Sequence, residues 1–325
     1  MKIGVIGGGA WGTALAQVAA AGGDVLLWAF EPDVVEAING AHVNPIFLAG
    51  VPLSPAIRAT NDLGELAICD ALLVVTPAQH MRRILAAAPI AARPLILCSK
   101  GIEANTMALM SEAAAETCPD APIAVLSGPT FASEVAKGLP TAVTLACADD
   151  AIAGRLAERI ARPGFRPYRS SDVIGAEIGG AVKNVLAIAC GVVEGAGLGK
   201  NARAALIARG FAEMTRFGLA RGARPETLAG MSGLGDLVLT CSSEQSRNFS
   251  LGLGLGQGKS AESLMGDRRT VAEGAFTAPV LVQAAKAAGV EMPISEAVAS
   301  LLAGEVGVKA AVESLLARPL KEEAV

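Results

Sequence analysis

The chain has 325 residues, enough for two domains, and 52% of them are hydrophobic against 3% aromatic, so its cores must be aliphatic and alanine-rich. A net charge of −4 excludes the basic footprint of a nucleic-acid binder. Six scattered cysteines with no Cys-x-x-Cys spacing, and only two histidines, exclude a disulfide framework and point to no metal site.

The chain opens on a predicted strand, residues 2–6, followed by Gly7-Gly8-Gly9-Ala10-Trp11-Gly12 and a helix over 12–21. Glycines at 4, 7, 8, 9 and 12 interrupt what would otherwise pass for a signal peptide. No uninterrupted run of about 20 apolar residues suggests a membrane span. The expected location is therefore the cytoplasm.

A strand, a G-x-G-x-x-G turn and a helix in that order form a dinucleotide-binding fingerprint. Gly7 allows the tight turn, Gly9 lets a pyrophosphate approach the backbone, and Gly12 lets helix and strand pack closely. The N–H groups at the start of the helix then face the phosphates. The next strand, 25–30, ends at Phe30, with Glu31 nineteen residues beyond Gly12. An acid there accepts from a ribose 2′-hydroxyl and repels a 2′-phosphate, which tilts the cofactor from NADP toward NAD.

Further strands are predicted at 71–76, 95–99, 123–127 and 142–146, with helices between most of them, one over 104–117. Apolar strands alternating with helices predict βαβ units and a parallel sheet. Two polar loops come after strand ends, where ligands bind in open α/β sheets. They are Ser99-Lys100-Gly101 and Ser127-Gly128-Pro129-Thr130-Phe131-Ala132.

From about residue 170 the pattern becomes helical. The expected fold is α/β: a Rossmann-like doubly wound sheet over 1–169, then an all-α domain over 170–325. In the second domain Ile174, Ile178, Val182, Val185, Ala189 and Val192 form one apolar stripe at helical spacing. Lys183 lies on the other side among Ala176, Gly179, Gly180, Ala187 and Cys190, a face too small and apolar for solvent. A lone ammonium is costly to bury there unless it has a partner, and a lysine so placed suits acid–base chemistry. Asp236 and Thr240 share a helix face at i, i+4, and Ser246-Arg247-Asn248 suits a phosphate. The run 251–256, alternating leucine and glycine, reads as flexible backbone around a helix start.

These motifs resemble the bacterial type of NAD(P)-dependent glycerol-3-phosphate dehydrogenase, over residues 2 to about 316. The specific stretches are Gly179-Gly-Ala-Val-Lys183-Asn184-Val, Gly233-Leu-Gly-Asp236-Leu and Gln245-Ser-Arg247-Asn248, with Ser127-Gly-Pro-Thr-Phe-Ala132-Ser-Glu and Ser99-Lys100-Gly beside them. The resemblance implies interconversion of dihydroxyacetone phosphate and sn-glycerol 3-phosphate with NAD(P)H, supplying phospholipid synthesis, by a homodimer. It implies that Lys183 accepts the proton of the substrate's secondary hydroxyl, with Asp236 and Lys100 as catalytic partners. Substrate contacts would come from Lys100, Gly128, Thr130, Lys183, Asn184, Asp236, Thr240, Ser246, Arg247 and Asn248. Cofactor contacts would come from Gly7, Gly9, Trp11, Gly12, Phe30, Glu31, Lys100, Ala132, Arg247, Val271 and Glu273. Phe30 departs from the basic or polar residue common at its place in bacterial relatives, and 304–308 match only loosely.

Two alternatives remain at this stage. A 3-hydroxyacid or 6-phosphogluconate dehydrogenase would share the architecture, but such enzymes often carry an asparagine one helical turn beyond the lysine. Here those places hold Leu186 and Ala187. A non-catalytic cofactor-binding protein would have no need of Lys183, Asp236 and Arg247 together.

Overall fold

The computed structural model describes residues 1–266, 272–319 and 322. It divides the chain into two compact units, Met1–Lys100 with Met110–Val173, and Gly101–Leu109 with Ile174–Val325.

The first unit is built on one eight-stranded sheet in the order β3-β2-β1-β4-β5-β6-β7-β8. The strands are β1 (Ile3–Ile6), β2 (Val25–Trp28), β3 (Ile57–Thr60), β4 (Ala71–Val74), β5 (Leu95–Leu97), β6 (Ile123–Ser127), β7 (Thr141–Cys147) and β8 (Phe165–Ser170). Every residue of β1, β2, β4 and β5 is buried, as expected of strands covered on both faces. The intervening helices are α1 (Ala10–Ala20), α2 (Pro32–Ala41), α3 (Ala78–Ala87), α4 (Met110–Thr117), α5 (Ala132–Ala136) and α6 (Asp150–Ile160).

Three details depart from the sequence expectation. First, β3 and β8 carry Arg58, Arg166, Pro167 and Arg169 and lack an apolar run; they are edge strands, where proline and charge are tolerated. Second, β7 pairs antiparallel with β6. Apolar runs report burial on two faces, not strand direction. Third, the helix expected over 104–117 begins only at Met110. Asn105 and Met107 take left-handed backbone angles (φ 70° and 59°), and a short bridge joins Ile102 to Leu109. That segment belongs to the second unit.

The second unit is helical: α7 (Val173–Gly195), α8 (Lys200–Ala220), α9 (Pro225–Leu228), a π-helical turn over Met231–Gly235, α10 (Asp236–Cys241), α11 (Arg247–Gly256), α12 (Ala261–Met265), α13 (Glu273–Ala287), α14 (Pro293–Leu302) and α15 (Val308–Leu316). By length and composition α7 could cross a membrane, but 89% of its apolar window is buried inside the protein. It is buried on all sides from Gly175 to Val193, so its small-residue side is no open face.

The leucine–glycine run is the body of α11, packed on α7. A Cβ at Gly252 would lie 2.0 Å from the Ile188 carbonyl oxygen, and one at Gly256 2.4 Å from that of Val192. On α7, a Cβ at Gly191 would meet the Phe249 oxygen at 2.0 Å and one at Gly195 the Leu253 oxygen at 2.2 Å. Two glycines one turn apart on each helix let the backbones touch.

Candidate functional site

In the first unit the strand order reverses at β1 and β4, the place where doubly wound sheets bind nucleotides. Gly7 leaves β1 with φ +126°, and a Cβ there would lie 2.7 Å from the Val75 carbonyl oxygen. Gly12 admits no side chain, because a Cβ would sit 1.9 Å from the Gly7 oxygen. Gly9 differs. Its φ is −68°, and nothing lies within 4 Å of a Cβ built on it. Neither strain nor protein packing demands a glycine there, and the open space beside it is what a pyrophosphate approaching the backbone needs.

Gly9 is also the N-cap of α1, with no capping side chain and no acid in the first turn, leaving N–H groups for an anion. Two buried donors, the Trp11 indole Nε1 on α1 and the Thr76 hydroxyl just past the end of β4, have no hydrogen-bond partner. Buried polar atoms are rarely left unpaired. The open space, the uncapped helix and the orphaned donors together fit a bound dinucleotide.

Sequence reading missed what holds the turn. Asn44, fully buried, donates to the Gly8 carbonyl (2.8 Å) and to the Thr13 hydroxyl (2.8 Å), and Thr13 donates to the same carbonyl (3.2 Å). The available signal was an asparagine in the connection after α2, facing a threonine one residue past the last motif glycine. At the end of β2, Asn61 donates to the Ala29 carbonyl (2.8 Å), and the Trp28 indole donates to the Asn61 carbonyl (2.9 Å). This clamp fixes the backbone from which Phe30 projects, 75% exposed. Glu31 comes next as N-cap of α2, its side chain making no capping bond.

Lys100 closes the stretch after β5, where Ser99 donates to the Thr76 carbonyl (2.5 Å). After β6, Gly128 has φ +150° and lies against Val143 of β7, and the Thr130 hydroxyl donates back to the Gly128 carbonyl (3.2 Å). Ala132 is the first residue of α5.

In the second unit the Lys183 ammonium donates to Asp236 Oδ1 at 2.6 Å and to Thr240 Oγ1 at 2.9 Å. Thr240 also donates to Asp236 Oδ1, at 3.3 Å, as their shared helix face requires. The side chains of Lys183 and Asp236 are 7% and 0% exposed. Burial of an ion pair costs several kcal/mol of desolvation per charge, and apolar replacements are often as stable, so the pair is poorly explained by stability alone. The pair is backed by apolar thiols; burial and the adjacent Cys190 thiol push that of Cys241 well above its usual range.

Asn184, next to the lysine, accepts from the Asn248 amide (3.0 Å), and Asn248 Oδ1 accepts from the Gly274 N–H (2.9 Å). This chain joins α7, α11 and the start of α13, placing Glu273 at the head of α13. Ser246 caps α11, accepting from the Phe249 N–H (3.2 Å), and Arg247 at its first position is exposed. Val271 lies outside the described residues. Each unit thus gathers its share of the expected residues: the glycine turn, Phe30, Glu31, Lys100, Gly128 and Thr130 in the first, Lys183, Asn184, Asp236, Thr240, Ser246, Arg247, Asn248 and Glu273 in the second.

A doubly wound sheet with this turn, in a chain that also holds a helical unit around a buried lysine–aspartate pair, defines a dinucleotide-binding protein of Rossmann-plus-helical architecture. The comparisons narrow that class. Residues 2–153 match the model of the NAD-dependent glycerol-3-phosphate dehydrogenase N-terminus, and 172–313 that of its C-terminus. The chain belongs to the NAD-dependent glycerol-3-phosphate dehydrogenase family.

It is 64% identical over 323 residues to glycerol-3-phosphate dehydrogenase [NAD(P)+] 1 of Sphingopyxis alaskensis, covering 99% of this chain and 98% of that one. It is 61% identical over 327 residues to glycerol-3-phosphate dehydrogenase [NAD(P)+] of Caulobacter vibrioides, covering 99% of each. Its structure is similar to that of glycerol-3-phosphate dehydrogenase from Coxiella burnetii, with a TM-score of 0.93 at 38% identity, over 98% of this chain and 99% of that one.

Proposed function

We propose that the protein is an oxidoreductase interconverting dihydroxyacetone phosphate and sn-glycerol 3-phosphate with NAD(P)H, supplying glycerol phosphate for phospholipid synthesis. The carrying observation is the buried Lys183–Asp236–Thr240 contact. A bound nicotinamide cofactor supplies the hydride that reduces C2 of the ketone. Lys183, as ammonium, gives a proton to the developing alkoxide, and in the oxidative direction its neutral amine takes the proton from the hydroxyl. Asp236 and Thr240 each accept an N–H bond from the lysine and fix where Nζ points. Asn248 and Ser246 at the head of α11, with the exposed Arg247 guanidinium, supply donors of the kind that hold a phosphate, and Lys100 carries over from the resemblance as a further substrate contact. Gly128 and Thr130 add the substrate contacts of the loop after β6. Asn184, tied to Asn248, keeps α7 and α11 in register beside the lysine.

For the cofactor, Gly7, Gly9 and Gly12 shape the phosphate turn and Trp11 lines it. Phe30 and Glu31 stand where the adenosine end lies in such folds, and Ala132, Arg247, Val271 and Glu273 carry over from the resemblance. We also propose, from the same resemblance, a homodimer, read by its mass in light scattering. The cytoplasm, which fits six buried free thiols, is read by fractionation of the host cell.

The test is loss of absorbance at the nicotinamide band when dihydroxyacetone phosphate is added to protein and NADH. Rapid oxidation is expected, with none for an unphosphorylated 3-keto acid. The reverse selectivity would reject the substrate.

A further inference from the structure

We infer that Gly179 and the π-helical turn Met231–Gly235 set the geometry of the Lys183–Asp236 pair, making Gly179 a positioning residue for proton transfer. The inference rests on the reading of Lys183 as the proton donor and acceptor.

Lys183 comes four residues after Gly179 on α7, and Asp236 four after Ser232. The contact of Gly179 with Ser232 and the contact of Lys183 with Asp236 therefore follow one another along the same two stretches of chain. At the first contact the backbones touch. A Cβ at Gly179 would lie 2.2 Å from the Ser232 carbonyl oxygen, 2.7 Å from its carbon and 2.8 Å from the Gly233 Cα. None of these atoms is a side-chain end that can swing aside.

The turn has no room to retreat on its far side. A Cβ at Gly233 would lie 1.9 Å from the Leu228 carbonyl oxygen, and Ser232 is fully buried with its hydroxyl directed to the Thr227 carbonyl (3.4 Å). The turn is thus clamped between α7 and the end of α9. It is also overlong: the Gly235 N–H donates to the Gly230 carbonyl (3.0 Å) and that of Asp236 reaches Met231, each five residues back. One residue more than an α-turn rotates the start of α10 by about 100°. The direction of the Asp236 carboxylate toward Lys183 is fixed by that extra residue and by the height at which Gly179 lets the turn sit.

The experiment compares kcat against pH, and the dissociation constant for NADH, in the wild type, Gly179→Ala, Gly191→Ala and Lys183→Ala. Gly191 is the control: it lies on the same helix and a Cβ there clashes as severely with backbone, 2.0 Å from the Phe249 oxygen, but two turns beyond the lysine. Gly179→Ala is expected to lower kcat about 100-fold, the effect of a misplacement of about 1 Å in a reacting group. Its alkaline limb is expected at lower pH, because an ammonium that loses its carboxylate neighbour gives up its proton more readily. NADH binding stays as in the wild type. Gly191→Ala presses on α11, whose head carries Ser246, Arg247 and Asn248, so its KM for the ketone phosphate is expected to rise, but its alkaline limb stays at the wild-type pH whatever it costs in Tm. A wild-type profile and kcat in Gly179→Ala, with Lys183→Ala inactive, overturns this inference and leaves the role of Lys183 standing. An active Lys183→Ala removes both. If Gly179→Ala does not fold, Gly233→Ala, which pushes the same turn from its other side, takes its place. If neither folds while Gly191→Ala does, the contact is structural and the inference falls.

Discussion

At the scale of single residues, a buried charge is held only by its partner. Removing one member of a buried ion pair leaves the other uncompensated, at about 3–5 kcal/mol. Lys183 and Asp236 are such a pair. Residue type and spacing made both legible in the sequence, and i, i+4 spacing made Thr240 legible beside Asp236. Asn44 was not legible, because its role depends on a contact with Gly8 thirty-six residues earlier. The same scale carries the choice of cofactor. Glu31 stands uncapped by any bond to its own helix, beside an exposed Phe30 and with no arginine in 28–32. A carboxylate there disfavours a 2′-phosphate. The KM for NADPH is expected about tenfold or more above that for NADH, some 1.4 kcal/mol, and Glu31→Ala is expected to narrow the gap by lowering the KM for NADPH. Equal KM values in the wild type would contradict this.

At the scale of elements, glycine patterns proved to be packing instructions. The leucine–glycine run of α11, which reads as flexible in isolation, is the surface on which α11 touches α7; the partner glycines, 191 and 195, sit sixty-one residues before Gly252 and Gly256, and no local pattern links them. Elements also join through Glu213 of α8. Its carboxylate accepts from the Ile294 N–H (2.7 Å), the Ser295 N–H (3.2 Å) and the Ser295 hydroxyl (3.1 Å), capping the start of α14. Burial outweighs those bonds and the nearby Arg216, and pushes its pKa from 4.5 up to about 7. Between those values the folded chain binds more protons at this site than the unfolded one. The stabilisation from this site is therefore whole below about pH 4.5 and is lost as pH rises to about 7, with an upper limit of about 3 kcal/mol. Tm profiles from pH 5 to pH 8 are expected to show a downward contribution that Glu213→Gln flattens. An unchanged slope in that variant would show that Glu213 does not titrate in this window.

At the scale of the whole molecule, the doubly wound unit and the helical unit were both legible, because buried parallel strands and long apolar helices write different periods into a sequence. The same physics explains the parts that were not legible. The edge strands β3 and β8 carry charge and proline, and the segment 101–109 leaves the helix pattern through two left-handed residues. The central claim is that one lysine, held by one aspartate, moves the proton in a nicotinamide-dependent reduction of a ketone phosphate. The most direct measurement is kcat for dihydroxyacetone phosphate in Lys183→Ala, taken with the dissociation constant for NADH on the same preparation. The account predicts a loss of at least about 10²–10⁴ in kcat with NADH binding unchanged. Near-normal turnover in that variant would contradict it.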